Sequence, residues 1–129
     1  MDNIQKNKEL VIEYFNAISG FRKTREILVK FLADQHLIEH IEFFDSVFPA
    51  YEIFADEITA EGNRVVVRAR VKGRHEGELN GIPPTHKSVD FPFAIGYEIE
   101  NNKIINHWLI ADQMALMEQL GVMNAVAES

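Results

Sequence analysis

At Pro49 the spacing of apolar residues changes from helical to a period of two, and that change constrains the fold more than any other feature. Before it, Leu10, Val11, Tyr14, Phe15 and Ile18 recur at i, i+1, i+4, i+5 and i+8, one stripe of an amphipathic helix that ends near Ser19-Gly20. Ile27, Leu28, Phe31 and Leu32 repeat the pattern behind Thr24, whose hydroxyl suits an N-cap. A third helix opens at Asp34, again a capping residue, and shows Leu37, Ile38, Ile41, Phe44 and Phe48 before Pro49, which has no N–H to continue the ladder. Beyond Pro49 the period is two, and Glu61-Gly62-Asn63, Gly81-Ile82-Pro83-Pro84 and Asn101-Asn102 punctuate it as turns. The pattern predicts strands over Tyr51 to Thr59, Arg64 to His75, Ser88 to Glu100 and Lys103 to Ala111. Asp112 then caps a short closing helix with Met114, Met117 and Leu120 on its apolar edge, and Gly121 stops it. Helices first and strands after predict an α+β fold, with N-terminal helices packed on one face of a curved antiparallel sheet in a single domain over residues 1–129.

Alternation assigns the faces of that sheet. In the second strand Val65, Val67, Ala69, Val71, Gly73 and His75 share the inner face, and Arg68, Arg70, Lys72 and Arg74 form a solvated row opposite. His75 therefore points inward, either as a pocket acid or base or as a histidine that anchors the core and the following loop. The third strand sets Val89, Phe91, Phe93, Ile95, Tyr97 and Ile99 on one face and Asp90, Pro92, Ala94, Gly96 and Glu98 on the other. The small Ala94 and Gly96 leave room for close approach by another subunit, a tail or a loop.

Composition removes several function classes. At 47% hydrophobic and 26% charged residues the chain has the balance of a soluble globular domain, and without cysteine it has no disulfide, thiolate nucleophile, iron–sulfur or thiolate zinc chemistry. The opening MDNIQKNKEL is too polar for a secretory signal, and no apolar run approaches the roughly 18 residues of a membrane span, so a cytoplasmic location is expected. Asp and Glu exceed Lys and Arg by 20 to 13, a net charge of −7, and the basic residues are dispersed, so nucleic acid is not an expected partner. His36-Leu-Ile-Glu39-His40 spells H-x-x-E-H, the helical pair of inverted zinc peptidases. Zinc would need a further acidic ligand from another helix, and the two histidines are read as the edge of the third helix, with no metal expected.

Gly73-Arg-His-Glu-Gly77, Gly81-Ile-Pro-Pro-Thr85, Ile99-Glu-Asn-Asn-Lys-Ile104, His107 and the run from Asp112 through Gln119-Leu-Gly121 resemble the SnoaL-like polyketide cyclase family in order and spacing. That family has the cone-shaped nuclear-transport-factor-2-like, ketosteroid-isomerase-like (cystatin-like) fold. The resemblance covers the C-terminal half and, more loosely, the helix around Leu10 to Ile18; the helical stretch Lys23 to Phe48 stands where the family has a pocket loop. It implies a homodimer and an apolar pocket open at one end, used without metal or cofactor. It further implies ring closure by intramolecular aldol condensation, in which a carboxylate on the last strand moves the proton and polar groups on the preceding strand hold the enolate. The carboxylate belongs three residues before Asp112, and Leu109 stands there; the supporting polar positions are Phe93 and Ile95. Leucine cannot exchange a proton. Phe93, Ile95, Tyr97 and Leu109 are thus expected to line a pocket for a small hydrophobic molecule.

Two readings follow, with a third beside them. In one, the protein binds such a molecule without turning it over. In the other, it is a cofactor-free cyclase or isomerase whose acid/base has moved to His75, His107 or Asp112. His107 has the parity of Leu109 and faces the pocket with it, leaving Trp108 to face away; Asp112 has the alternative role of helix cap. The third reading is a dimerisation module with a filled cone.

Overall fold

A computed structural model of the chain describes residues 3–122. Helices α1 (Asn3–Ile18), α2 (Arg25–Phe31) and α3 (Gln35–Val47) precede strands β1 (Glu52–Glu61), β2 (Arg64–Arg74), β3 (Ser88–Glu100) and β4 (Lys103–Ala111), and α4 (Gln113–Leu120) follows. The strands form one sheet in the order β1-β2-β3-β4, each antiparallel to its neighbour. The α+β arrangement predicted from the change of period is the one observed. No described helix is long and apolar enough to cross a membrane.

The predicted caps form. Thr24 accepts from the Ile27 amide and Asp34 from the Leu37 amide, each satisfying an N–H that a helix start leaves free. Asp112 accepts from the Ala115 amide, and Gly121 closes α4 at φ 79°, a left-handed position that favours glycine. The stripe of α1 is wholly buried and packs chiefly against β1. In α4 the buried edge is Leu116 and Leu120, one helical turn apart, rather than the expected Met114, which is exposed.

Two bulges curve the sheet. Asp56 is the extra residue where β1 pairs with β2, and Ile105 the extra residue where β4 pairs with β3. Asn101 and Asn102 turn the β3–β4 hairpin with φ of 52° and 59°, the left-handed pair that a two-residue turn requires and asparagine tolerates. Register then lays the inner side chains in rows across the strands: Ile53, Val71 and Phe91; Phe93 and Ala111; Ile95 and Leu109; Tyr97 and His107. On the outer face, a Cβ on Gly96 would stand 2.1 Å from Trp108 Nε1. The close approach expected at Gly96 is therefore made by the indole of its own cross-strand partner.

Candidate functional site

Between α3, α1 and the inner face of the sheet lies a cavity of about 310 Å³. The sheet rows form its floor, with Phe93, Ile95, Tyr97 and Leu109 among them. Tyr14 and Phe15 from α1 and Leu37, Ile41 and Phe44 from α3 form the cover. The lining residues that are also solvent-exposed, His40, Phe43, Asn80 and Gln113, mark the mouth. Leu109 carries no polar group into this space, and no carboxylate or ammonium side chain is among the residues that line it.

The chemistry of the wall is phenolic. Tyr14, Tyr51 and Tyr97 line the cavity, and among the described residues their hydroxyls have no hydrogen-bond partner. Tyr14 and Tyr97 meet edge to face with ring centres 6.0 Å apart, and Tyr51 meets Phe44 the same way at 5.0 Å. Burial pushes all three phenols up from their ordinary value. For Tyr14 the phenols of Tyr97 and Tyr51 and the carboxylate of Asp34 push in the same direction, as do Asp45 for Tyr51 and the Tyr51 phenol for Tyr97. They are neutral hydrogen-bond donors, not bases. His40 stacks on Phe44 with centres 6.2 Å apart; desolvation, then repulsion from His107, lowers its pKa.

The three residues considered as displaced acid or base lie in different surroundings, and none is on the cavity wall. His75 is fully buried against Phe48; its Nδ1 accepts from the Thr85 amide at 3.1 Å, and its backbone bonds Lys87 and His86 across the β2–β3 loop. That corrects the pocket reading of His75 in favour of a loop anchor, with Nε2 buried and unpartnered among the described residues. Asp112 is corrected likewise: its carboxylate caps α4 at 2.9 Å from the Ala115 amide, outside the cavity. His107 faces inward in the row of Tyr97, as parity with Leu109 implies, and its Nδ1 lies 2.6 Å from Asp34 Oδ2. In the H-x-x-E-H stretch, His36 and Glu39 are exposed while His40 rims the cavity. Among the described residues no three His, Asp or Glu side chains converge as a metal site.

Sequence reasoning missed Tyr14 and Tyr51 as lining residues because one falls in an apolar stripe and the other in a strand and both read as packing, and it missed His40 because that residue reads as the edge of the third helix. The polar tip of a tyrosine inside such a stripe is the signal that could have found the first two. Asp34 read only as a cap, and nothing local ties it to a histidine 73 residues away.

The SnoaL-like polyketide cyclase profile matches residues 33–120, which takes in α3 as well as the sheet and α4. The resemblance thus reaches into the helical stretch that the motifs alone had set apart. No curated protein is a significant sequence match. Among solved structures, AclR from Streptomyces galilaeus superposes with a TM-score of 0.80 at 22% identity, covering 92% of this chain and 98% of its own. TsrD from Streptomyces laurentii gives 0.78 at 21% identity, covering 94% of this chain and 98% of its own. A SnoaL-like polyketide cyclase from Agrobacterium tumefaciens gives 0.74 at 17% identity, covering 89% of this chain and 98% of its own. With the family profile spanning more than half of the residues, on the nuclear-transport-factor-2-like fold, the chain belongs to the SnoaL-like polyketide cyclase family.

Proposed function

We propose that this protein binds a small, uncharged, largely apolar molecule that carries oxygen acceptors. One observation carries the reading: an apolar cavity whose polar atoms include three neutral phenols without a partner among the described residues. Donors held in a desolvated wall favour a carbonyl or ether oxygen, because leaving them unmet costs about 1–3 kcal/mol each. A charged ligand has no counter-charge on this wall. Leu109 at the position of the family's acid/base removes the usual route to ring closure and supports retention of the molecule over its turnover by that route. A second copy of the chain belongs to the same proposal, supported by the exposed Val66, Trp108 and Ile110 on the outer face of the sheet; sedimentation velocity on the parent and on Ile110→Glu tests it.

Native mass spectrometry of the purified protein, with extraction of any retained molecule, is the direct test of binding. Calorimetric titration with β-tetralone and with its parent hydrocarbon tetralin adds the chemistry. The ketone is expected to bind more tightly by about 0.5–1.5 kcal/mol, the worth of one hydrogen bond. Tyr14→Phe with Tyr97→Phe should erase the difference, and Leu109→Trp should block both ligands. Failure of either ligand to bind, or undiminished binding to Leu109→Trp, would overturn the reading.

A further inference from the structure

The loop between β2 and β3 reaches the mouth of the cavity, and it is fastened by a histidine that ligand retention alone does not use. Leu79 and Asn80 of this loop line the cavity. They sit at a tip that bonds to itself: Leu79 and Ile82 exchange amide and carbonyl at 3.0 and 2.8 Å around Asn80 and Gly81, whose φ of 45° and 92° make the two-residue turn. Pro83 and Pro84 follow and have no N–H to add. Bonds from the loop to the rest of the molecule gather at its base. There Glu76 and Gly77 donate to the Val47 carbonyl at 2.9 and 3.0 Å, and His75 meets Thr85.

His75 is fully buried. Its Nδ1 accepts from the Thr85 amide at 3.1 Å and lies 3.0 Å from the Thr85 hydroxyl, which itself accepts from the Lys87 amide at 3.3 Å. An amide N–H only donates, so Nδ1 is a lone pair and the ring hydrogen sits on Nε2. A proton added at Nδ1 would point at the Thr85 N–H. The hydroxyl can turn to accept it, but the amide cannot, and the bond that closes the loop is lost. The imidazolium would lie against the Phe48 ring, 5.6 Å between centres, with Nε2 buried and unpartnered among the described residues. The charged groups on the packed elements are already engaged or point to solvent. Arg74, Glu76, His86 and Lys87 are exposed, and Glu76 is taken up by Arg74 at 2.7 Å and His86 at 3.2 Å. Asp90 on β3 faces Lys72 on the outer side of the sheet, and Asp45 on α3 is taken up by Lys23, Ala50 and Arg22.

We propose that the β2–β3 loop is an acid-released strap at the cavity mouth, with His75 as its catch. At neutral pH the uncharged ring holds Thr85, and the strap lies down with Leu79 in the cavity wall. In acid the ring takes a proton, the Thr85 bond opens, and the strap lifts Leu79 and Asn80 away from the mouth. A lifted strap leaves a solvated imidazole, which titrates at about 6.5, whereas the closed ring has its one lone pair engaged. The lifted state therefore binds the extra proton and gains population as pH falls. His86 works in the opposite sense, because its charge beside Glu76 tightens the base of the strap. That the strap governs escape of a bound molecule rests on the ligand-binding reading of the cavity; that it lifts in acid does not.

The test is amide hydrogen exchange followed by NMR on the full chain, corrected for the intrinsic rate at each pH. From about pH 7.5 to about pH 5.5 the Glu76, Gly77 and Thr85 amides should lose about tenfold in protection, the effect of one proton taken up by a solvated imidazole. The buried Val67 and Ile95 amides in the sheet should keep theirs. His75→Asn puts an oxygen where Nδ1 stands, so it keeps the Thr85 bond and has no proton to gain; its strap amides should hold level across the same range. Nitrogen NMR of the histidine rings supplies a check that needs no variant: at neutral pH His75 should carry its hydrogen on Nε2. With β-tetralone bound, the dissociation rate should rise about tenfold over the same drop in the parent and stay level in His75→Asn. Strap protection that ignores pH in the parent, a loss that persists in His75→Asn or extends equally to Val67 and Ile95, an Nδ1–H ring, or a ketone dissociation rate that ignores pH would overturn the proposal and leave ligand binding standing. Failure of the ketone to bind at all would take down the ligand-binding reading alone, and the exchange of the strap amides would still decide the catch.

Discussion

At one end of α3 Asp45 accepts from the amides of Lys23 at 3.2 Å and Ala50 at 2.9 Å and pairs with Arg22 at 3.2 Å; at the other end Asp34 accepts from one amide and one imidazole. Both carboxylates are buried, and both fix the helix that covers the cavity. The difference is in what the partners have left over. Backbone amides bonded to Asp45 have no further valence, so that end is a staple between α3, the turn before α2 and the start of β1. Lys23 joins it, with Nζ donating to the carbonyls of Phe21 and Tyr51 and lying 4.0 Å from the centre of the Tyr51 ring. An imidazole bonded through one nitrogen still has the other. Equal burial of two carboxylates therefore says little about role, whereas the spare bonding capacity of their partners says much.

The largest break in this comparison should come from Asp45→Ala, which removes the counter-charge 3.9 Å from the buried Lys23 ammonium and leaves the Lys23 and Ala50 amides unmet. A loss of about 3–5 kcal/mol is expected by urea denaturation. Asp34→Asn should lose far less, and an equal loss at both ends would end the distinction. Alkaline pH probes the same staple. Burial lowers Lys23 to about 8 against an ordinary value of 10.5, with Asp45 opposing the shift and Arg22 adding to it. Between those values the unfolded chain holds a proton that the folded chain has released, so stability rises as pH climbs through that window and is level below it. Lys23→Met should abolish that rise in denaturation curves recorded across the window. A steric probe acts next to the same end: a Cβ on Gly77 would stand 2.1 Å from the carbonyl oxygen of Ser46 in α3, and the Gly77 amide donates to the Val47 carbonyl. Gly77→Ala should lower the thermal midpoint at a cost of about 1–3 kcal/mol, the range of overpacked sites. Midway along the helix the exposed Arg25–Glu42 pair gives the smallest effect. Glu42→Gln should leave the urea midpoint unchanged, since exposed pairs contribute little.

Much of this geometry was legible in the sequence because it is periodic. The inner faces of β2 and β3 follow from alternation, and the three caps at Thr24, Asp34 and Asp112 follow from residue type at the edge of a stripe. The Met114 edge failed because a helix as short as α4 has its apolar side set by what it packs on, and Leu116 and Leu120 won that contact. Phe93, Ile95, Tyr97 and Leu109 could be placed by parity, yet the hollow above them depends on how far α1 and α3 stand off the sheet, which no local pattern encodes. The Asp34–His107 contact is the extreme case. It joins residues 73 apart, and each has a bland local reading as cap and as strand residue.

Ile105 bears on this last point. As the extra residue of β4 it lets Ile104 and His107 lie on the same face, although an unbroken strand would set them on opposite faces. It works as a frameshift in the direction of the side chains. Drawn into a regular ladder, the same sequence would be read in the other frame: His107 and Leu109 would turn to solvent, and Trp108 and Ile110 would turn into the cavity. One residue with no group to offer a ligand thus decides which half of β4 a ligand meets.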